Sequence, residues 1–143
     1  MRFVLDASVT LSWLLKGAGT GAKAYAFDVL NLLGLPENQA DVPVTWALEV
    51  SNVLARSEAK GLVTQAQSEA FLELLQATPI SVDPATAAHA LSDTLHVARR
   101  YRLSSYDASY LELALRQGLA LATLDADLQR AADRAGVAQV KPA

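Results

Sequence analysis

Short apolar runs recur along this chain, each followed by a longer stretch with helical periodicity. That alternation constrains the fold more than any single residue does. Parallel strands are buried on both faces, so they read as unbroken apolar runs, and each needs a crossover helix. The pattern predicts strands over residues 2–5, 41–44, 79–82, 119–123 and 137–140. Helices are expected over 7–15, 23–33, 45–60, 84–101 and 126–135, with two more running from a Thr64 cap to Gln76 and from a Ser104 or Ser105 cap to Gln117. Gly17, Gly19 and Gly21 mark residues 16–21 as a loop, and Gly34, Gly61, Gly118 and Gly136 close four of the helices. The expected fold is α/β, a mostly parallel sheet of four to five short strands between two helical layers. With 143 residues and no linker or repeat, one domain over 1–143 is expected.

Four acids fall where strands hand over to helices or inside apolar helices: Asp6, Glu49, Asp107 and Asp125. Asp6 and Asp125 end strand-like runs, and in open parallel sheets ligand sites form beyond the carboxyl ends of the strands. Asp107 lies in the first turn of its helix, where the helix dipole favours a carboxylate by ~0.3–1 kcal/mol. Glu49 borders the apolar stripe of Trp46, Ala47, Val50, Val53 and Leu54, placed to lean over it. Two unit charges 4 Å apart repel by ~4 kcal/mol at an effective dielectric of 20, so a gathered set must share protons or hold a cation. With oxygen ligands and neither histidine nor cysteine among them, Mg²⁺ or Mn²⁺ fits better than zinc. Metal-assisted phosphodiester cleavage is the reaction class this points to. Each acid also has a plainer explanation. Asp6 and Asp125 suit helix caps, Asp107 suits a dipole contact, and Glu49 suits a pair with Arg56 or water.

Composition narrows the classes around this reading. The chain is 52% hydrophobic and 19% charged, as a packed globule requires. It has no cysteine, which excludes disulfides, thiolate zinc sites and thiol nucleophiles. No secretory pattern opens it and no apolar run spans a bilayer, so a cytoplasmic protein with no membrane partner is expected. The net charge of −3 argues against a nucleic-acid partner only until the four acids are set aside, which leaves eleven acids against twelve bases.

The segments VLDASV, the helix with Glu49 and Asn52 three residues apart, LSSYDASYLELA and LATLDADLQRAA occur in this order. Together they resemble the PIN-domain family, and within it the VapC-type toxins of toxin–antitoxin systems. The resemblance runs nearly the full length and is most specific around Asp107 and Asp125. It implies a three-layer α/β/α sandwich and a Mg²⁺- or Mn²⁺-dependent endoribonuclease. It also implies an RNA substrate, a cognate antitoxin and a homodimer. The family's catalytic and metal-holding acids carry over onto Asp6, Glu49, Asp107 and Asp125. Its supporting polar positions carry over onto Ser8, Asn52 and Thr123.

Other residues are weighed against that set. Asp127 is placed to assist Asp125, although a solvated first-turn acid is the simpler reading. His89, Asp93, His96 and Arg100 share a helical face opposite Leu91, Leu95 and Ala98, which reads as solvated surface rather than a metal clip. Arg99, Arg100, Arg102 and Lys16 are candidates for phosphate contacts, and Tyr106 and Tyr110 read as core or rim. Apolar residues crowd 24–35 and the Phe71, Leu72, Leu74, Leu75 cluster, enough for an oligomer contact or partner groove. A binding module without catalysis would keep the fold and bind no divalent metal. An aspartyl-phosphate phosphatase is disfavoured because Ser8 occupies the position its second acid requires.

Overall fold

Phe3, Val4 and Leu5 are apolar on both sides of the chain and are fully buried, which places their strand at the centre of a sheet. The structure is a computed structural model describing residues 1–17 and 19–142. Four strands, β1 (Arg2–Leu5), β2 (Gln39–Val42), β3 (Ile80–Val82) and β4 (Ala120–Ala122), run parallel in the order β3-β2-β1-β4. Phe3 pairs with Ala40 on one side and with Ala120 on the other.

The connections are helical: α1 (Ala7–Ser12), α2 (Thr20–Leu33), α3 (Val44–Ala59), α4 (Gln65–Ala77), α5 (Thr86–His89), α6 (Leu95–Tyr101), α7 (Ser105–Gln117) and α8 (Ala126–Ala135). They flank the sheet as the outer layers of an α/β/α sandwich. α3 buries Trp46, Val50 and Leu54, and α7 buries Tyr110, Leu111, Leu113 and Ala114 against β1 and β4. The chain builds outward from β1 through β2 to β3, then jumps back across β1 to lay down β4. The carboxyl ends of β1 and β4 therefore form a topological switch point, where a crevice opens because successive helices leave in opposite directions.

Several sequence expectations shift: α1 stops at Ser12 rather than residue 15, and α2 begins at Thr20, inside the stretch expected as loop. The strand over 41–44 lies at 39–42, because Val44 already opens α3. The fifth strand shrinks to one parallel bridge, Leu121 to Gln139, flanked by the Leu121 N–H to Ala138 and Val140 N–H to Leu121 carbonyl bonds, both 2.9 Å. Val137 and Val140 are both buried, a spacing of three that a pleated strand of period two cannot sustain. The helix over 84–101 is split by a π-turn at Ala90–Thr94 between α5 and α6. Its wider turn advances the phase of the helix. Leu91 swings outward to 90% exposure, and His89, expected on a solvated face, turns inward toward α7.

Candidate functional site

The crevice at the switch point is built from both of its strands. The Asp6 N–H donates to the Ala122 carbonyl at 2.9 Å, so the chain beyond β1 is locked beside the end of β4. Asp6 sits where an N-cap belongs, yet its side chain makes no capping bond. Instead two hydroxyls donate to its Oδ2: Ser8 at 2.6 Å and Thr123 at 2.8 Å. Each hydroxyl is itself oriented by an incoming backbone N–H, from Leu124 to Ser8 Oγ and from Asp125 to Thr123 Oγ1, both 3.0 Å. Every proton in this chain of contacts has one consistent place, and the carboxylate is fixed as an acceptor.

Asp125 does serve as a cap, its Oδ1 accepting from the Leu128 N–H at 2.8 Å. The plainer reading accounts for that one oxygen. Asp107 is half-buried in the first turn of α7, its N–H donated to the Ser104 hydroxyl that caps the helix. Glu49 reaches over from α3, half-buried, and accepts a 2.9 Å bond from the Tyr110 hydroxyl at its Oε1. The Ser109 hydroxyl bonds Thr45 Oγ1 at 3.1 Å, a second tie between α7 and α3. Glu49 therefore pairs with Tyr110, not Arg56.

The charges feel one another. Burial pushes Glu49 up to about 7, opposed by the Tyr110 hydroxyl and reinforced by the negative charges of Asp6 and Asp107. Burial pushes Asp107 up to about 6, with Asp125 and Asp6 adding to the rise. Asp6 is also raised by burial, against the pull of its two hydroxyl donors. Other acids held away from water have cationic partners: Asp41 pairs with Arg2, and Asp83 and Glu112 share Arg116. Among the described residues, no lysine, arginine or histidine pairs with Asp6, Glu49, Asp107 or Asp125. A negatively charged crevice without its counter-charge is the fit expected of a divalent-cation centre with hard oxygen donors.

The sequence family is consistent with that geometry. The model of the PIN domain matches residues 3–134. The chain belongs to the PIN-domain family. Ribonuclease VapC3 of Mycobacterium tuberculosis is 38% identical over 91 residues, and that match spans 62% of this chain and 62% of the relative. Among solved structures, PAE2754 from Pyrobaculum aerophilum superposes with TM-score 0.63 at 24% identity, covering 92% of this chain and 87% of the other. VapBC2 from Rickettsia felis, bound to a promoter DNA fragment, gives TM-score 0.66 at 12% identity and 98% coverage of both chains. At these identities the structures establish the PIN fold alone.

The remaining candidates separate cleanly. Asn52 is exposed one turn beyond Glu49, and no side-chain hydrogen bond among the described residues ties it to the acids. Asp127 is exposed and ion-paired with Arg130, as a solvated first-turn acid should be, though its charge also contributes to raising Asp107. Arg99, Arg100 and Arg102 are exposed just before α7, and Arg102 ends α6 in the left-handed conformation at φ 55°. Tyr106 is 69% exposed, whereas Tyr110 is wholly buried. The role of Tyr110 as the anchor of Glu49 escaped the sequence reading, because the two residues lie 61 positions apart. The expected solvated face holds for Asp93, His96 and Arg100, which are exposed, and the opposite side holds for buried Ala98. His89 departs from it: half-buried, its Nδ1 approaches Asp93 at 2.7 Å and Glu112 of α7 at 3.5 Å beside the π-turn.

Proposed function

We propose that this PIN-domain protein is a Mg²⁺- or Mn²⁺-dependent endoribonuclease, the toxin of a toxin–antitoxin pair. The observation that carries the reading is the set of four buried or half-buried acids, without a basic partner among the described residues, whose charges act on one another beside the β1/β4 switch point. Asp6, Asp107, Asp125 and Glu49 are the proposed metal-holding and catalytic groups, with Ser8 and Thr123 as positioning residues and Asn52 as a further polar contact. A bound divalent ion supplies positive charge for the phosphate oxygens and acidifies an attacking water. The protein's own contribution is orientation. Ser8 and Thr123 hold Asp6 in one rotamer, Leu128 fixes Asp125, and Tyr110 aims Glu49. Glu49, with its proton affinity near neutrality, is the group suited to accept a proton from water. Arg99, Arg100 and Arg102 offer phosphate contacts beside the α7 terminus.

The relative's printed name is that of a ribonuclease, and one structural neighbour is a VapBC complex on promoter DNA. Both support the reading without supplying this chain's substrate. For an antitoxin, a groove of about 320 Å³ between α3, α4 and β3 is lined by Trp46, Val50, Leu72, Leu75, Ile80 and Val82, the surface an apolar segment of a partner would fill. Phe27 and Leu35 on or beside α2 remain 42% and 54% exposed, consistent with a homodimer contact. Among the described residues no helix is long and apolar enough to cross a membrane, and a cytoplasmic site of action is part of the proposal.

The deciding assay is cleavage of a mixed RNA pool by the purified chain with Mg²⁺ or Mn²⁺, with and without chelator. Cleavage abolished by chelation and by Asp107→Asn supports the reading. RNA left intact by an intact, metal-loaded chain favours a non-catalytic binding module.

A further inference from the structure

The π-turn and α6 lie against α7, with His89 at the end of α5 beside them, and a cavity of about 470 Å³ opens there. It is lined by His89, Asp93, His96, Glu112 and Arg116, none of which belongs to the acidic crevice. His89 Nδ1 sits 2.7 Å from Asp93 Oδ2 and 3.5 Å from Glu112 Oε1. One ligating atom from each of the three residues lies within 4.8 Å of the other two. Donors around a tetrahedral ion with bonds of about 2.1 Å stand about 3.4 Å apart, so small side-chain rotations close the set around one ion.

Charge also favours a cation here. Glu112 is 4% exposed, and its guanidinium partner Arg116 is shared with Asp83. Asp83 and Glu112 therefore share one permanent positive charge, Arg116 donating to both Glu112 oxygens, and Asp93 has only His89 as a partner among the described residues. The π-turn strengthens the case, because such turns are rare inside helices and recur at functional positions. Here it places His89 and Asp93 on the α7 side while Leu91 is turned out to solvent.

We infer that His89, Asp93 and Glu112 form a second cation site, one that takes a divalent transition metal of the Zn²⁺ type and pins the π-turn segment to α7. An imidazole with two carboxylates selects such ions over Mg²⁺, unlike the all-oxygen crevice. His96, lining the same cavity, or a water completes the coordination. The competing arrangement is His89 hydrogen-bonded between two carboxylates with no metal at all.

Cobalt distinguishes the two. The probe is Co²⁺ titrated into the untagged full chain carrying Asp6→Asn and Asp107→Asn, which silence the acidic crevice. Expected is one equivalent bound with a visible absorption band, displaced by Zn²⁺ and not by excess Mg²⁺. Adding His89→Gln, or Asp93→Asn at an exposed position that leaves folding intact, lowers the affinity ~10-fold or more. No visible band in the crevice-silenced chain, or a band unchanged by both substitutions, overturns the inference and leaves His89 as an ion-pairing residue.

Discussion

Replacing Asp107 by Asn should stabilise the metal-free protein and destabilise it, relative to the wild type, once metal is present. The folded-state carboxyl titrates at about 6 against an ordinary 3.8. Between those values the folded chain binds more protons than the unfolded one, so stability falls as pH rises through that window and stays low above it. A gap of about two pH units at ~1.4 kcal/mol each is ~3 kcal/mol. Asp107 is only half-buried, and solvent screening reduces this to ~1.5 kcal/mol. Loss of the helix-dipole contact takes back ~0.5 kcal/mol. The net gain of ~1 kcal/mol corresponds to a melting temperature ~3–4 °C higher at pH 8 in chelator. With Mn²⁺ at about 100 times its Kd, the wild type gains ~2.7 kcal/mol, or ~9 °C, and the variant gains little. The order of the two melting curves therefore inverts. Differential scanning fluorimetry in chelator and in Mn²⁺ reads both. A variant that melts at or below the wild type in chelator at pH 8 would refute the account of an uncompensated crevice.

Other consequences follow from the same contacts. Tyr110→Phe removes only the hydroxyl that anchors Glu49, so Mn²⁺-dependent RNA cleavage should fall ~10-fold with the fold preserved by circular dichroism. Metal affinity should rise steeply from pH 5.5 to 8, because Asp107 near 6 and Glu49 near 7 must both lose protons to act as ligands; isothermal titration across that range reads the slope. Arg116→Ala strands Asp83 and Glu112 and should cost ~3 kcal/mol in urea unfolding, a loss that a merely superficial ion pair would not give. Changing Arg99, Arg100 and Arg102 singly to Gln should weaken RNA binding and shallow its salt dependence by ~1 in log–log slope for each true phosphate contact.

How much of this the sequence made legible depended on the range of the interaction. The strand and helix alternation and the fold class were readable, because buried parallel strands and their crossover helices leave local apolar patterns such as those at 2–5 and 119–123, whereas Gln39 and Asp41 in β2 break that pattern and moved the expected strand to 41–44. Asp6 and Asp125 were readable as strand-end acids for the same reason. Tyr110 was not, since nothing within its own segment hints at a partner on α3. The π-turn was equally hidden. Its effect is to shift helical phase, and a regular wheel drawn over 84–101 assigns Leu91 inward and His89 outward, the reverse of what is found. The terminal strand failed because local β-branched content outweighed a spacing of buried valines that does not match a pleat.

The most direct test is anomalous diffraction from crystals of the chain grown with Mn²⁺ at pH 8. The account predicts a peak within bonding distance, about 2.0–2.6 Å, of carboxylate oxygens of Asp6, Asp107 and Asp125. Density confined to the His89 cavity, or absent from the crevice while those side chains stay ordered, would contradict it.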